Sequence, residues 1–292
     1  MFILSLFPGI DMLGSAFESE GFCVVRGPDL IFGGDIRFFH PPSGKFDGII
    51  GGPPCQDFSK ARRGILPTGH GEEMLREYMR CVTEAKPDWW LMENVERVPN
   101  VTIPGYVTQR IDLNVLECGS NQNRLRHFQF GTRDGIAISP QRQSLPANSR
   151  IEPCATATEG RRGDRRSWGD FCEIQGLPRD FTLPSFTVEA GYRAVGNGVP
   201  LQMGRVMARA IKIAMRDSSM RDSSMSHTCE SPAQSQIIRD ATIGESRLCI
   251  CGCGRRLTGR SDQKCATAGC RKRIEIQGKR PRRTIHASME RS

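Results

Sequence analysis

The sequence predicts an α/β fold with a largely parallel sheet over residues 1–215, followed by a small cysteine-rich, basic C-terminal module. Three observations carry that reading. Short apolar runs alternate with amphipathic stretches; glycine and proline turns follow several of the runs; and cysteine and charge density change abruptly after residue 215.

Taken in order, Ile3–Phe7 reads as an apolar strand running into Pro8-Gly9. Met12–Glu20 reads as a short helix stopped by Gly21. Phe22–Val25 and Phe46–Ile50 read as the second and third strands. From Glu72 to Glu84, Met74, Leu75, Tyr78, Met79 and Val82 recur at helical spacing, and Pro87 ends the helix. Trp89–Met92 and His127–Gly131 are further strands, and Pro200–Met215 is an amphipathic helix. Arg133–Arg166, rich in Arg, Ser, Pro, Thr and Gly, lacks periodicity and reads as an insertion outside the sheet. Arg216–Met225 is a tandem RDSSM repeat, which opens a linker to residue 246.

The chain has 292 residues, enough for one sizeable domain and an accessory module. No apolar run approaches the roughly 20 residues of a membrane span. The start, MFILSLFPGIDM, has no basic leader, so a cytoplasmic protein without membrane attachment is expected. The formal charge of +9 is uneven: Ser226–Ser292 holds 14 Lys and Arg against 6 Asp and Glu, the preceding residues 27 against 26. A basic tail points to a polyanion, nucleic acid first; a solvated, solubilising tail is the plainer alternative. Five of the 12 cysteines fall between Cys249 and Cys270, which suggests metal and not a disulfide scaffold.

Chemistry concentrates at the ends of strands. Phe7-Pro8-Gly9 turns a strand towards a helix N-terminus, a geometry that suits a nucleoside ligand. Asp29 follows Gly9 by twenty residues, where a ribose-binding carboxylate would sit, and Asp35 offers an acceptor for an adenine amino group. After the third strand, Gly51-Gly52-Pro53-Pro54-Cys55-Gln56 forms a stiff turn presenting a thiol, a good nucleophile once deprotonated. Glu93-Asn94-Val95 closes the next strand and puts a carboxyl group on the same rim. A thiolate that adds to C6 of a pyrimidine, with a carboxyl group at N3 relieving the charge that builds on the ring, uses both. In Gln122-Asn123-Arg124-Leu125-Arg126, alternate residues of an extended segment point together, and paired guanidiniums suit a phosphate and a base carbonyl. Gly196-Asn197-Gly198-Val199-Pro200 breaks the chain before the last helix.

In this order the five motifs resemble the cytosine-5 DNA methyltransferase family, over roughly Phe2 to Met215. The resemblance implies a Rossmann-like S-adenosylmethionine-dependent methyltransferase sheet with a short target-recognition insertion. It implies Cys55 as nucleophile, Glu93 at N3, Arg126 on the cytosine carbonyl, and Arg124 supporting the Cys55 loop. Phe7, Gly9, Asp29, Asp35, Pro53 and Asn197 would surround S-adenosylmethionine. The target base would leave the duplex, since C5 and C6 are unreachable inside the stack. Attack at C6 would make C5 nucleophilic, and loss of the C5 proton after methyl transfer would expel the cysteine.

The sequence departs from that family in three places. Asp11 stands where a glycine is common; only five residues separate Asp29 from Asp35, too few for a helix; and the target-recognition region, residues 131–166, is short. Few side chains there reach base edges, so relaxed specificity is expected, with Arg161, Arg162, Arg165 and Arg166 on phosphates.

The tail, residues 247–292, resembles a small zinc knuckle, with Cys251, Cys253, Cys265 and Cys270 as ligands or Cys249 in place of Cys251. Arg271-Lys272-Arg273 and Lys279–Arg283 would add salt-dependent DNA affinity. The expected partner is double-stranded DNA, bound by a monomer, and a companion restriction endonuclease is left open. Rival readings are an RNA (tRNA) cytosine-5 methyltransferase, a catalytically silent DNA-binding regulator on the same fold, and an enzyme transferring another one-carbon group.

Overall fold

The computed structural model of the chain describes residues 1–58, 66, 68–146 and 148–225. The five cysteines from Cys249 to Cys270, expected to hold zinc, lie outside the described residues, as does the basic tail.

Among the described residues, six strands form one sheet in the order β2-β1-β3-β4-β7-β5. β1 (Phe2–Leu6), β2 (Cys23–Arg26), β3 (Gly48–Gly51) and β4 (Trp89–Asn94) run parallel. β5 (Val107–Asn114) and β7 (Leu125–Thr132) complete it in antiparallel pairs, so the sheet is mixed, with β7 alone running against the other five strands. β5 escaped the sequence reading because only Ile111 and Leu113 of its eight residues are buried apolar side chains, as suits an edge strand. Two-residue strands β6 (Gln122–Asn123) and β8 (Glu152–Pro153) pair separately, leaving the insertion outside the main sheet from residue 133 onward.

The central strands are buried on both faces, which is why they read as continuous apolar runs. One face, with Ile3, Ile50, Trp89, Leu91, Phe128 and Phe130, packs on α1 (Met12–Ser19) and α5 (Leu201–Met225). The other, with Leu4, Leu6, Ile49, Trp90 and Met92, packs on α2 (His70–Ala85). Two tryptophans in succession fit because small residues oppose them across the ladder. Gly48 pairs with Trp89 and Gly131 with Trp90. A Cβ at either glycine would lie 2.3 Å from the indole. Such overpacking costs about 1–3 kcal/mol.

A third cluster, built on α3 (Trp168–Ile174) and α4 (Val188–Asn197), joins Phe171, Tyr192 and Val195 to Met12, Ala16 and Leu201. It carries the Gly196–Gly198 segment to the carboxyl ends of the parallel strands. The last helix continues through the RDSSM repeat to Met225, ten residues beyond the expected end. No described helix is long and apolar enough to cross a membrane.

Candidate active site

Strand order reverses around β1, with β2 on one side and β3 on the other; open α/β sheets bind ligands at the carboxyl ends beside such a point. A cleft of about 280 Å³ opens there. Its walls include Cys55, Glu93 and Arg126 at one end. Phe7, Gly9, Asp29, Asp35, Pro53 and Asn197 also line it. Nine of the ten residues expected to act on substrate or cofactor therefore share one cavity; Arg124 is the exception.

Gly51 ends β3 where a side chain cannot fit: a Cβ would lie 2.9 Å from the Leu6 carbonyl oxygen and from the Tyr78 ring. From there Gly52-Pro53-Pro54 carries the chain to Cys55, whose carbonyl accepts from Phe58 N–H at 3.0 Å. Two side chains hold this loop. Asn94, buried at the end of β4, donates from Nδ2 to the Pro53 carbonyl at 3.0 Å. Asp57 accepts from Gly71 N–H at 2.8 Å and Thr68 N–H at 3.0 Å, tying the loop to the start of α2. The thiol is half-buried, not fully exposed. Burial first, and the nearby Glu93 charge second, push Cys55 above its ordinary pKa, against the pull of Arg126. At rest it is a thiol.

Glu93 lies within β4, not beyond it, opposite Phe128 of β7. Arg126 of β7 reaches across, with Nε 3.0 Å from Glu93 Oε1. Burial raises the Glu93 carboxyl above its ordinary pKa, although Arg126 and Arg124 pull it down. A carboxyl group held partly towards its protonated form can donate a hydrogen bond to a ring nitrogen.

Arg124 does not support the Cys55 loop as expected. Its guanidinium is buried and donates to the carbonyls of Ala155 at 2.7 Å, Gly196 at 3.0 Å and Gly198 at 3.0 Å. It thereby braces the segment that carries Asn197. Burial lowers its pKa to about 10, so it stays charged at neutral pH. Gln122, two residues earlier, donates to Ile174 O at 2.8 Å and accepts from Ala155 N–H at 3.0 Å. The alternation of this motif thus has a physical basis: Gln122 and Arg124 clamp the C-terminal helices, while Arg126 serves the cleft.

At the other end, Asp29 accepts from Gly9 N–H at 2.8 Å and from Ile31 N–H at 2.9 Å. As the short spacing implied, no full helix lies between Asp29 and Asp35, only a 3-10 turn, Leu30–Phe32. Asp35 sits in a fork with Arg37, Nε 3.0 Å from both carboxylate oxygens. Asp11 caps α1 in the left-handed conformation, φ 55°, keeping the backbone geometry a glycine would have. Arg37 and His70 also line the cleft without having stood out in the sequence, because neither belongs to a motif. In the insertion, Arg161 pairs with Glu189, Arg162 with Asp164 and Arg166 with Glu159, so three of the four arginines expected on phosphates already have acidic partners.

The donor set fits a nucleoside without phosphates. Apolar Phe7, Ile31 and Pro53 line the cleft beside Asp29 and Asp35. The Gly14 N–H at the start of α1, which would meet a phosphate in a dinucleotide site, is already taken by Asp11 Oδ1 at 3.1 Å.

Residues 33–162 match the model of the C-5 cytosine-specific DNA methylase family. Type II methyltransferase M.FnuDI of Fusobacterium nucleatum is 32% identical over 171 residues, 48% of this chain and 49% of the relative. M.NgoPII of Neisseria gonorrhoeae is 30% identical over 185 residues, 52% and 53% of the two chains. M.HgiDI of Herpetosiphon aurantiacus is 37% identical over 97 residues, 30% of this chain and 31% of the relative. The chain thus spans 31% to 53% of these relatives' length. The fold is similar to that of Entamoeba histolytica methyltransferase EhMeth, with TM-score 0.56 and 13% identity over 75% of this chain and 98% of that one. S. pombe Dnmt2 methyltransferase gives TM-score 0.54 and 12% identity over 75% and 99%.

Proposed function

We propose that the chain is a DNA (cytosine-5)-methyltransferase that moves a methyl group from S-adenosylmethionine to C5 of cytosine through a transient Cys55–C6 bond. The observation that carries this reading is the convergence of Cys55, Glu93 and Arg126 in one cleft, with Arg126 and Glu93 paired at 3.0 Å. S-adenosylmethionine, when bound, supplies an electrophilic methyl group.

The chain's residues divide the remaining work. Arg126 orients the Glu93 carboxyl and offers donors to the base carbonyl. Glu93, with its raised pKa, donates to N3 in protonated form, which also removes the negative charge that opposes ionisation of Cys55. Cys55 then gives its proton to water, its thiolate adds to C6, and the ring electrons pass towards N3 and C5. Once C5 has bonded to the methyl carbon, water takes the C5 proton, its bonding pair restores the ring double bond, and the C6–S bond breaks to release the thiolate. Asn94 and Asp57 hold the Cys55 loop, and Arg124 holds the Asn197 segment against the cleft.

Further parts of the reading are double-stranded DNA as polymer, reinforced by the basic tail, a monomeric protein, and a structural zinc on Cys251, Cys253, Cys265 and Cys270. The tail's charge supports the DNA reading and its cysteine spacing the zinc reading. Division into a methyltransferase domain over 1–215, a linker over 216–246 and a tail over 247–292 belongs to the same proposal. Labelled methyl transfer into duplex DNA and into tRNA tests the substrate: incorporation into DNA with treated tRNA unlabelled supports the reading, and the reverse pattern replaces it with an RNA methyltransferase. Zinc analysis of the full chain tests the tail, one equivalent per chain being expected.

A further inference from the structure

Asp11 occupies a backbone conformation, φ 55° and ψ 47°, that side chains other than glycine, asparagine and aspartate rarely adopt. It is 3% exposed and belongs to the wall of the cleft. Its Oδ1 accepts from Ser5 Oγ at 2.8 Å and from Gly14 N–H at 3.1 Å. Its Oδ2 lies 2.8 Å from Arg26 Nε.

That guanidinium does not neutralise its surroundings. Arg26 is half-exposed and shared with Glu18, whose Oε2 lies 3.0 Å from it. Two carboxylates on one guanidinium leave a net charge of −1. The same ratio recurs beside Asp35, where Arg37 also approaches Glu73 at 3.5 Å. Asp29 adds a third carboxylate to the cleft, with its oxygens on backbone N–H groups. Glu18 and Glu73 stand outside the cleft. At its nucleoside end, among the described residues, Asp11, Asp29 and Asp35 face the single lining guanidinium of Arg37, so that end carries excess negative charge in a partly desolvated cavity, where charge acts more strongly than in water. Asp11 is the most deeply buried of these carboxylates.

We infer that Asp11 is a specificity-determining residue of this cleft, favouring a positively charged sulfonium nucleoside over its neutral thioether counterpart. The inference rests on the S-adenosylmethionine reading given above. Methyl transfer breaks the sulfur–methyl bond, leaves the bonding pair on sulfur and removes the positive charge. The carboxylate thus holds the methyl donor and not the spent product, which promotes exchange of one for the other.

Isothermal titration of the full-length protein with S-adenosylmethionine and with S-adenosylhomocysteine provides the test. Asparagine tolerates the left-handed conformation and caps helices as well as aspartate does, so Asp11→Asn removes charge and keeps the cap. It should weaken S-adenosylmethionine binding about five- to tenfold and change S-adenosylhomocysteine binding less than about twofold. Arg26→Gln removes the counter-charge and should raise the preference for S-adenosylmethionine by about two- to threefold. It decides the matter alone if Asp11→Asn fails to fold. A structural cap would move both affinities together or neither, and that result overturns the inference. Wild-type protein that binds neither ligand overturns the cofactor reading as well, whereas wild-type binding with a ratio fixed across both variants overturns this inference only.

Discussion

Asn94 joins the two halves of the proposed chemistry, since it follows Glu93 in β4 and its side chain donates to the Pro53 carbonyl at 3.0 Å, across 41 residues of sequence. Its Oδ1 accepts from Val95 N–H at 2.8 Å, and the residue is 1% exposed. Asn94→Ala leaves a carbonyl and an N–H without their partners in a buried place. Such a loss costs about 1–3 kcal/mol. If all of it appears in positioning Cys55 against the base, each 1.36 kcal/mol is a factor of ten in rate, giving about five- to 150-fold. Single-turnover methyl transfer to duplex DNA, with both substrates saturating, reads this directly. The expected result is a fall in rate within that range, with S-adenosylmethionine affinity changed less than about threefold, because the bond holds the nucleophile loop. Asn94→Asp should be worse than alanine, since it sets a carboxylate against the Pro53 carbonyl. A variant as fast as wild type would refute the idea that this bond fixes the nucleophile.

Three other outcomes follow from the same geometry. Burial, then the Glu93 charge, raises the Cys55 pKa, so iodoacetamide should alkylate Cys55 slowly at neutral pH and faster as pH rises towards the raised value. Glu93→Gln removes the opposing charge, lowers that pKa and should speed alkylation at pH 8; peptide mass spectrometry reads the site, and a slower Glu93→Gln reaction counts against the sign. Arg124→Met strips three backbone carbonyls of their donor, and urea denaturation should show a loss of about 3 kcal/mol, at about 1 kcal/mol or more per carbonyl, whereas a loss under about 1 would contradict the clamp. Ending the chain after Met225 removes a segment with 14 Lys and Arg against 6 Asp and Glu, so DNA binding should weaken and its salt dependence flatten while methyl transfer at saturating DNA persists. Loss of transfer in that shortened, folded chain would count against a tail that acts only in binding.

What the sequence disclosed depended on the range of the interaction. β1, β3, β4 and β7 were legible because both of their faces are buried, so their apolar runs are continuous. The direction of β7 was not, because antiparallel pairing with β4 is a property of topology and not of local pattern. Cys55, Glu93 and Arg126 were legible as motif residues at strand ends, and the reversal of strand order gathers them with the nucleoside-end residues. The work of Arg124 was hidden because its acceptors lie 31 to 74 residues away. Asn94 was quoted within a motif, but its bond to Pro53 depends on β3 and β4 being neighbours. Asp11 was visible only as a departure from glycine; its retained left-handed backbone and buried carboxylate needed three dimensions.

The central claim is a transient covalent bond between the Cys55 sulfur and C6 of a cytosine. Duplex DNA containing 5-fluorocytosine blocks the final loss of the C5 substituent, so incubation with labelled S-adenosylmethionine should give a denaturant-stable protein–DNA adduct carrying the label. The same reaction with Cys55→Ser should give none. An adduct of equal yield in Cys55→Ser, or label transferred to the base by wild type with no adduct at any time, would contradict it.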